Sequence, residues 1–198
     1  MIVGVLALQG CVEPHLRMCA RLGVQAVPVR SRRELEGVER LIIPGGESTT
    51  MLHLLLVSNL FEPLVDFCQQ RPVLGVCAGA ILLANEVVSP INSSRAQRSL
   101  RAIPLRAHRN FYGGQLESFE GSMTVVGDPN QHQVQFIRAP LLEPLNDSVA
   151  TIGFLGKDGV LFCYRNVLAA SFHSELGSDP FLHQQLIELP ERGKGNLA

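Results

Sequence analysis

At 198 residues and 46% hydrophobic content, the chain has the size and composition of one globular domain with a full apolar core. A formal net charge of −1, from 17 basic and 18 acidic residues, excludes a general electrostatic attraction to nucleic acid or anionic membrane. No basic leader precedes the start "MIVGVLALQG", and no apolar run is long enough to span a bilayer, so the chain reads as cytoplasmic.

"IVGVLAL" (Ile2 to Leu8) is a continuous apolar run and predicts a strand buried on both faces. "VEPHLRMCARLG" predicts a helix with Leu16, Cys19 and Ala20 on one face and Gly23 at its end. "VQAVPV" and "ERLIIPGG" are the next two strands. "STTMLHLLLVSNL" opens with hydroxyl residues suited to an N-cap and continues as an apolar helix, and "FEPLVDFCQQ" is a further helical stretch. "PVLGVC" predicts a fourth strand and "AGAILLANE" the helix after it. Strands alternating with helices indicate an α/β fold, a doubly wound, mostly parallel sheet flanked by helices.

The second half changes character. "SMTVV", "VQFI", "VATIGFL", "VLFCY" and "VLAASF" are shorter runs, expected to extend the sheet and add some antiparallel strands. "PFLHQQLIEL" predicts the last helix, ended by Pro190. Residues 1–190 read as a single domain and 191–198 as a frayed tail. Arg95, Arg98, Arg101, Arg106 and Arg109 cluster without interleaved aromatics, as a solvated or partner-facing segment would. Pro104 in that stretch argues against a central strand there.

Five cysteines, Cys11, Cys19, Cys68, Cys77 and Cys163, show no paired metal-ligand spacing and read as thiols in a reducing compartment. Four of them read as buried structural residues. Cys77 is different. In "GVCAG" it lies at a strand end, between Gly75 and Gly79, in the pattern of a nucleophile elbow. A helix N-terminus aimed at the sulfur favours thiolate, and the Ala78 N–H would help hold an oxyanion.

Such a nucleophile needs a base. "ASFHSEL" places His173 at another strand end, with Glu175 two residues on and so on the same side of an extended segment. His15 and His183 fall on helical stretches and read as surface residues. "LIIPGGESTT" offers exposed backbone N–H groups between a strand end and a helix N-terminus. A phosphate loop and an oxyanion hole beside Cys77 are both open uses of it, although the Walker lysine is absent.

"LALQG", "PGGESTTM", "CAGAILLA", "RNFYGGQLESFE", "FIRAP" and "SFHSEL" together resemble the class I glutamine amidotransferases of the PdxT/SNO family, the glutaminase subunits of pyridoxal 5′-phosphate synthase. The resemblance runs from Leu6 to Leu176 and implies the flavodoxin-like version of the fold. It also implies hydrolysis of L-glutamine to L-glutamate and ammonia through a γ-glutamyl thioester, within a hetero-oligomer in which a lyase subunit receives the ammonia for vitamin B6 synthesis. Cys77, His173 and Glu175 would be the triad. Gly46, Glu47, Ser48, Arg109, Ile137 and Arg138 would bind glutamine, with Gly46 and Ala78 at the oxyanion. No metal or bound cofactor is implied. Ser174 stands where the family usually has proline, Gly114 where arginine is common, and Val76 where threonine is common. The Val87–Ala107 stretch also departs from the family pattern. The alternatives are a catalytically decayed binding module and an amidotransferase-like enzyme coupled to another acceptor.

Overall fold

The computed structural model describes residues 1–88, 97–109 and 118–191. Arg95, Gly114 and most of the expected tail, 192–198, lie outside the described residues. The first half alternates as its apolar runs predict: β1 (Ile2–Leu6), α1 (Val12–Arg21), β2 (Gln25–Val29), α2 (Arg32–Glu36), β3 (Arg40–Ile43), α3 (Ser48–Val57), α4 (Phe61–Gln70), β4 (Val73–Val76) and α5 (Ala78–Leu83). Then follow β5 (Ala84–Val88), β6 (Ile103–His108), β7 (Phe119–Val125), β8 (Asp128–Phe136), β9 (Leu141–Pro144), β10 (Ala150–Leu155), β11 (Asp158–Tyr164), β12 (Val167–Ala170) and α6 (Phe181–Glu188).

The main sheet runs β2-β1-β3-β4-β12-β11-β10-β7-β8. Its first five strands are parallel, and from β11 onward each strand is antiparallel to its neighbour. Period-two alternation divides the core. Leu41, Ile43, Val73 and Ala169 face the layer of α2, α3, α4 and α5, whereas Ile42, Leu74, Val76 and Ala170 face α1 and α6. Helices on both faces make the parallel part a buried sheet, and this explains the unbroken apolar runs of its strands.

Several sequence expectations are corrected. The helix expected to reach Glu86 ends at Leu83, and "ANE" turns into strand β5. The five-residue α2 had no place in the sequence reading; its signal is the reciprocal cap of Ser31 and Glu34, in which each side chain bonds to the other residue. Glu47, rather than a hydroxyl residue, caps α3 by accepting from the Thr49 and Thr50 N–H groups. A second sheet of order β5-β6-β9 makes β6 a central strand despite Pro104. The proline is tolerated because the β5–β6 register slips between Ala84 and Glu86, where it has no ladder bond to donate, while its carbonyl accepts from the Leu145 N–H at 2.9 Å. Three arginines of the cluster are tied to neighbouring acids: Arg98 to Glu62 at 2.7 Å, Arg106 to Glu86 at 2.8 Å and Arg109 to Glu47 at 3.0 Å. Among the described residues, no single helix is long and apolar enough to cross a membrane.

Candidate active site

The turn from β4 into α5 fixes the nucleophile candidate. Cys77 has φ 50° and ψ −102°, a conformation that costs a non-glycine residue about 1–3 kcal/mol. The surroundings hold it there. The Cys77 N–H donates to the Ala170 carbonyl at 2.8 Å, and α5 is buried over its whole length. Gly79 must be glycine, because a Cβ there would stand 2.0 Å from the Ile43 carbonyl oxygen. The Cys77 thiol is 6% exposed and donates to the Ile137 carbonyl at 3.8 Å.

His173 follows β12 and is gripped by β8. Its N–H donates to the Gln135 carbonyl at 2.7 Å, and its carbonyl accepts from the Gln135 N–H at 3.0 Å. The imidazole packs on Gly45, where an added Cβ would lie 2.3 Å from the ring Cε1. His173 Nδ1 and Glu175 Oε1 are 2.6 Å apart, and the Glu175 side chain is fully buried. Burial opposes charge on His173, but hydrogen bonds with Cys77 and Glu175 and their attraction outweigh it and raise the imidazole to about 10. Burial likewise pushes the Glu175 carboxyl up, yet its hydrogen bond with His173, with His15 and His173 nearby, holds it below the usual carboxylate range.

Cys77 and His173 open on a cavity of about 310 Å³, at the small end for a ligand site. Gly46, Glu47, Ser48, Ala78, Arg109, Ile137 and Arg138 line it too, so every pocket residue singled out in the sequence is brought to one place. Glu175 stands behind His173 rather than in the cavity wall. Glu47 also accepts from both threonine hydroxyls at the start of α3. Burial raises its carboxyl, but these bonds more than offset that and lower it to about 2. The anion holds Arg109 at the cavity edge.

The sequence reading missed Gln9, Cys11, Ile81 and Leu176, which complete the lining. Gln9 sits just past β1, and its Oε1 accepts from the Glu47 N–H at 3.0 Å. Its signal was the strand-end position in "LALQG". Cys11 is partly exposed rather than buried, because it precedes α1 at the cavity rim, and Cys163 is also partly exposed. Burial raises the Cys19 and Cys68 thiols to about 11 and about 12, as inert core residues. His15 and His183 are not surface residues. They are 0% and 1% exposed, because α1 and α6 turn their inner faces to the sheet at the back of Glu175. Among the described residues, no group of His, Cys, Asp or Glu is arranged to hold a metal ion.

The description of a known family, the SNO glutamine amidotransferases, matches residues 5–190. The chain belongs to the SNO glutamine amidotransferase family. This SNO chain is 44% identical to the pyridoxal 5′-phosphate synthase subunit PdxT of Roseiflexus castenholzii over 194 residues, 96% of this chain and 100% of that protein. It is 42% identical to the PdxT subunit of Mycobacterium sp. (strain JLS) over 192 residues, 95% of this chain and 92% of that one. A solved glutamine amidotransferase superimposes on the SNO fold with a TM-score of 0.87 at 39% identity, covering 96% of this chain and 98% of that one.

Proposed function

We propose that the chain is the glutaminase subunit of a pyridoxal 5′-phosphate synthase, hydrolysing L-glutamine and passing ammonia to a lyase subunit, with Cys77, His173 and Glu175 as its triad. The observation that carries this reading is the strained Cys77 facing an imidazole held by Glu175 at 2.6 Å, at the wall of a cavity of about 310 Å³. The family and the PdxT relatives support the substrate and the partner.

With the Cys77 proton held on His173, the sulfur attacks the side-chain amide carbon of glutamine. The oxygen becomes an anion held by the N–H groups of Gly46 and Ala78; losing one such donor raises the barrier by about 3–4 kcal/mol. The imidazolium, favoured by Glu175, returns its proton to the amide nitrogen, which leaves as ammonia. Water, giving a proton to His173, then attacks the γ-glutamyl thioester. Glutamate leaves and the thiol is restored. Arg109 and Arg138 are the cations available for the α-carboxylate, and carbonyls such as that of Ile137 are available for the α-ammonium.

Glutamate release from L-glutamine, with and without the lyase subunit, tests this. Cys77→Ala should abolish a release that the partner stimulates. Release that survives Cys77→Ala refutes the triad, and release indifferent to the partner refutes the coupling.

A further inference from the structure

The fully buried Glu175 carboxylate is under-served by the triad alone. Its Oε1 meets His173, and its Oε2 has no hydrogen-bonding side chain opposite it among the described residues. A buried carboxylate is costly to ionise, and beyond His173 and its own backbone N–H, neighbouring dipoles help to keep it charged. Beside the same Oε1 that His173 bonds lie two further, fully enclosed imidazoles. His15 Nε2, on α1, is 3.8 Å from Glu175 Oε1. His15 Nδ1 is 2.9 Å from His183 Nε2, on α6.

Proton accounting decides how this pair is oriented. Burial lowers His15 to about 4 and His183 to about 3, so each ring carries one proton at neutral pH. One proton must lie between His15 Nδ1 and His183 Nε2. If His15 donated it, His15 Nε2 would turn a bare lone pair toward the Glu175 carboxylate, and His183 Nδ1–H would be a buried donor without an acceptor. If His183 donates it, His15 carries its proton on Nε2, facing the carboxylate, and only an acceptor nitrogen of His183 is left bare. Among the described residues, His15 Nε2 and His183 Nδ1 are the ring atoms of this pair without a hydrogen-bond partner, as either arrangement requires, but only the second sets a donor against an anion.

We propose, on the triad reading above, that His15 is a positioning residue for Glu175: a neutral imidazole, oriented by His183, that turns its Nε2–H to the carboxylate. At 3.8 Å the contact is electrostatic rather than a hydrogen bond. Neutrality matters to the role. A cationic His15 would compete with His173 for the carboxylate, whereas a neutral N–H stabilises the anion and leaves its pull on the imidazolium intact. The catalytic line thus extends inward from Cys77 through His173 and Glu175 to His15 and His183, ending between α1 and α6.

Two measurements on the full chain test this. The first is the ring tautomers by nitrogen-15 NMR near pH 7: Nε2–H at both His15 and His183 is expected, and Nδ1–H at His15 overturns the proposal without any variant. The second is glutamine hydrolysis in the presence of the lyase subunit. His15→Asn keeps a polar group near His183 but withdraws the donor from Glu175; kcat should fall about tenfold or more, as for loss of other orienting partners. KM should hold, since His15 does not line the cavity, and the acid limb of kcat should move to higher pH. His15→Gln, whose amide nitrogen reaches the position of Nε2, should restore most of kcat and the acid limb. Equal kcat and pH profiles for wild type, His15→Asn and His15→Gln sink this inference alone, provided Glu175→Gln is impaired. An unimpaired Glu175→Gln sinks the triad reading and this inference together.

Discussion

Gly45→Ala tests how tightly the imidazole is placed. The new Cβ would stand 2.3 Å from His173 Cε1 and 3.2 Å from each ring nitrogen, against a normal carbon–carbon contact of about 3.5–4.0 Å. Gly45 is not in the left-handed region, so its backbone accepts alanine and the overlap is the whole perturbation. The ring cannot retreat freely. Its backbone is bonded twice to Gln135, and its Nδ1 to the buried Glu175. Relief therefore requires a ring or loop shift of about 1 Å, and a misplacement of that size costs roughly 100-fold in rate. That corresponds to about 2.7 kcal/mol of barrier. Overpacking should cost stability only about 1–3 kcal/mol, so the variant should fold. The assay is glutamate release with the lyase subunit, beside a urea melt. A folded Gly45→Ala enzyme with wild-type kcat would refute the reasoning.

Cys77→Gly should abolish hydrolysis yet exceed Cys77→Ala in stability by about 1 kcal/mol, because glycine releases the strain at φ 50°; equal melting temperatures would contradict a strained elbow. Stability should respond to pH in two windows. The His173 pKa is raised to about 10, so its contribution is complete below about 6.5 and is lost as pH climbs toward 10, and His173→Gln should flatten urea melts across that interval. His15 and His183 are lowered to about 4 and 3, so their neutral burial favours folding fully above about 6.5 and loses ground as pH falls from there. Between pH 6.5 and 5 each should contribute a slope of up to about 1.4 kcal/mol per pH unit, and a slope unchanged when both are replaced would reject the assignment. Glu47→Gln should raise KM for glutamine about tenfold with a smaller change in kcat, because it frees Arg109 from its 3.0 Å anchor; an unchanged KM would detach Arg109 from substrate binding.

The parallel half of the fold was legible because burial on both faces writes itself as unbroken apolar runs with glycine and proline between them. "LIIPGG" and "PVLGVC" marked β3 and β4 and, at their ends, the turns that line the cavity. The small sheet was not legible. β5 is the tail of an apolar helical pattern, and β6 carries a proline that a register slip excuses. Both facts depend on tertiary pairing rather than local preference. Cys77 and His173 could be found because each follows an apolar run and so sits at a strand end, where this architecture exposes side chains to ligand. Gln9 occupies the same kind of position after β1, but a neutral amide carries no chemical signature comparable to a thiol or an H-x-E pair.

His15 and His183 show why the back of the site was hidden. A histidine on an amphipathic helix reads as polar, and the polar face of a helix is expected in water. Here the face is set by neighbours instead: Met18 and Cys19 are buried on α1, and Phe181, Leu182 and Leu186 on α6, so His15 and His183 go inward with them. They are 168 residues apart in sequence and 2.9 Å apart in space, and neither has a reason to be buried without the other. The burial becomes intelligible only when α1 and α6 are docked on one face of the sheet with Glu175 between them and His173. An enclosed carboxylate needs polar neighbours, and two helices that share no local signal set His15 3.8 Å from it, backed by His183.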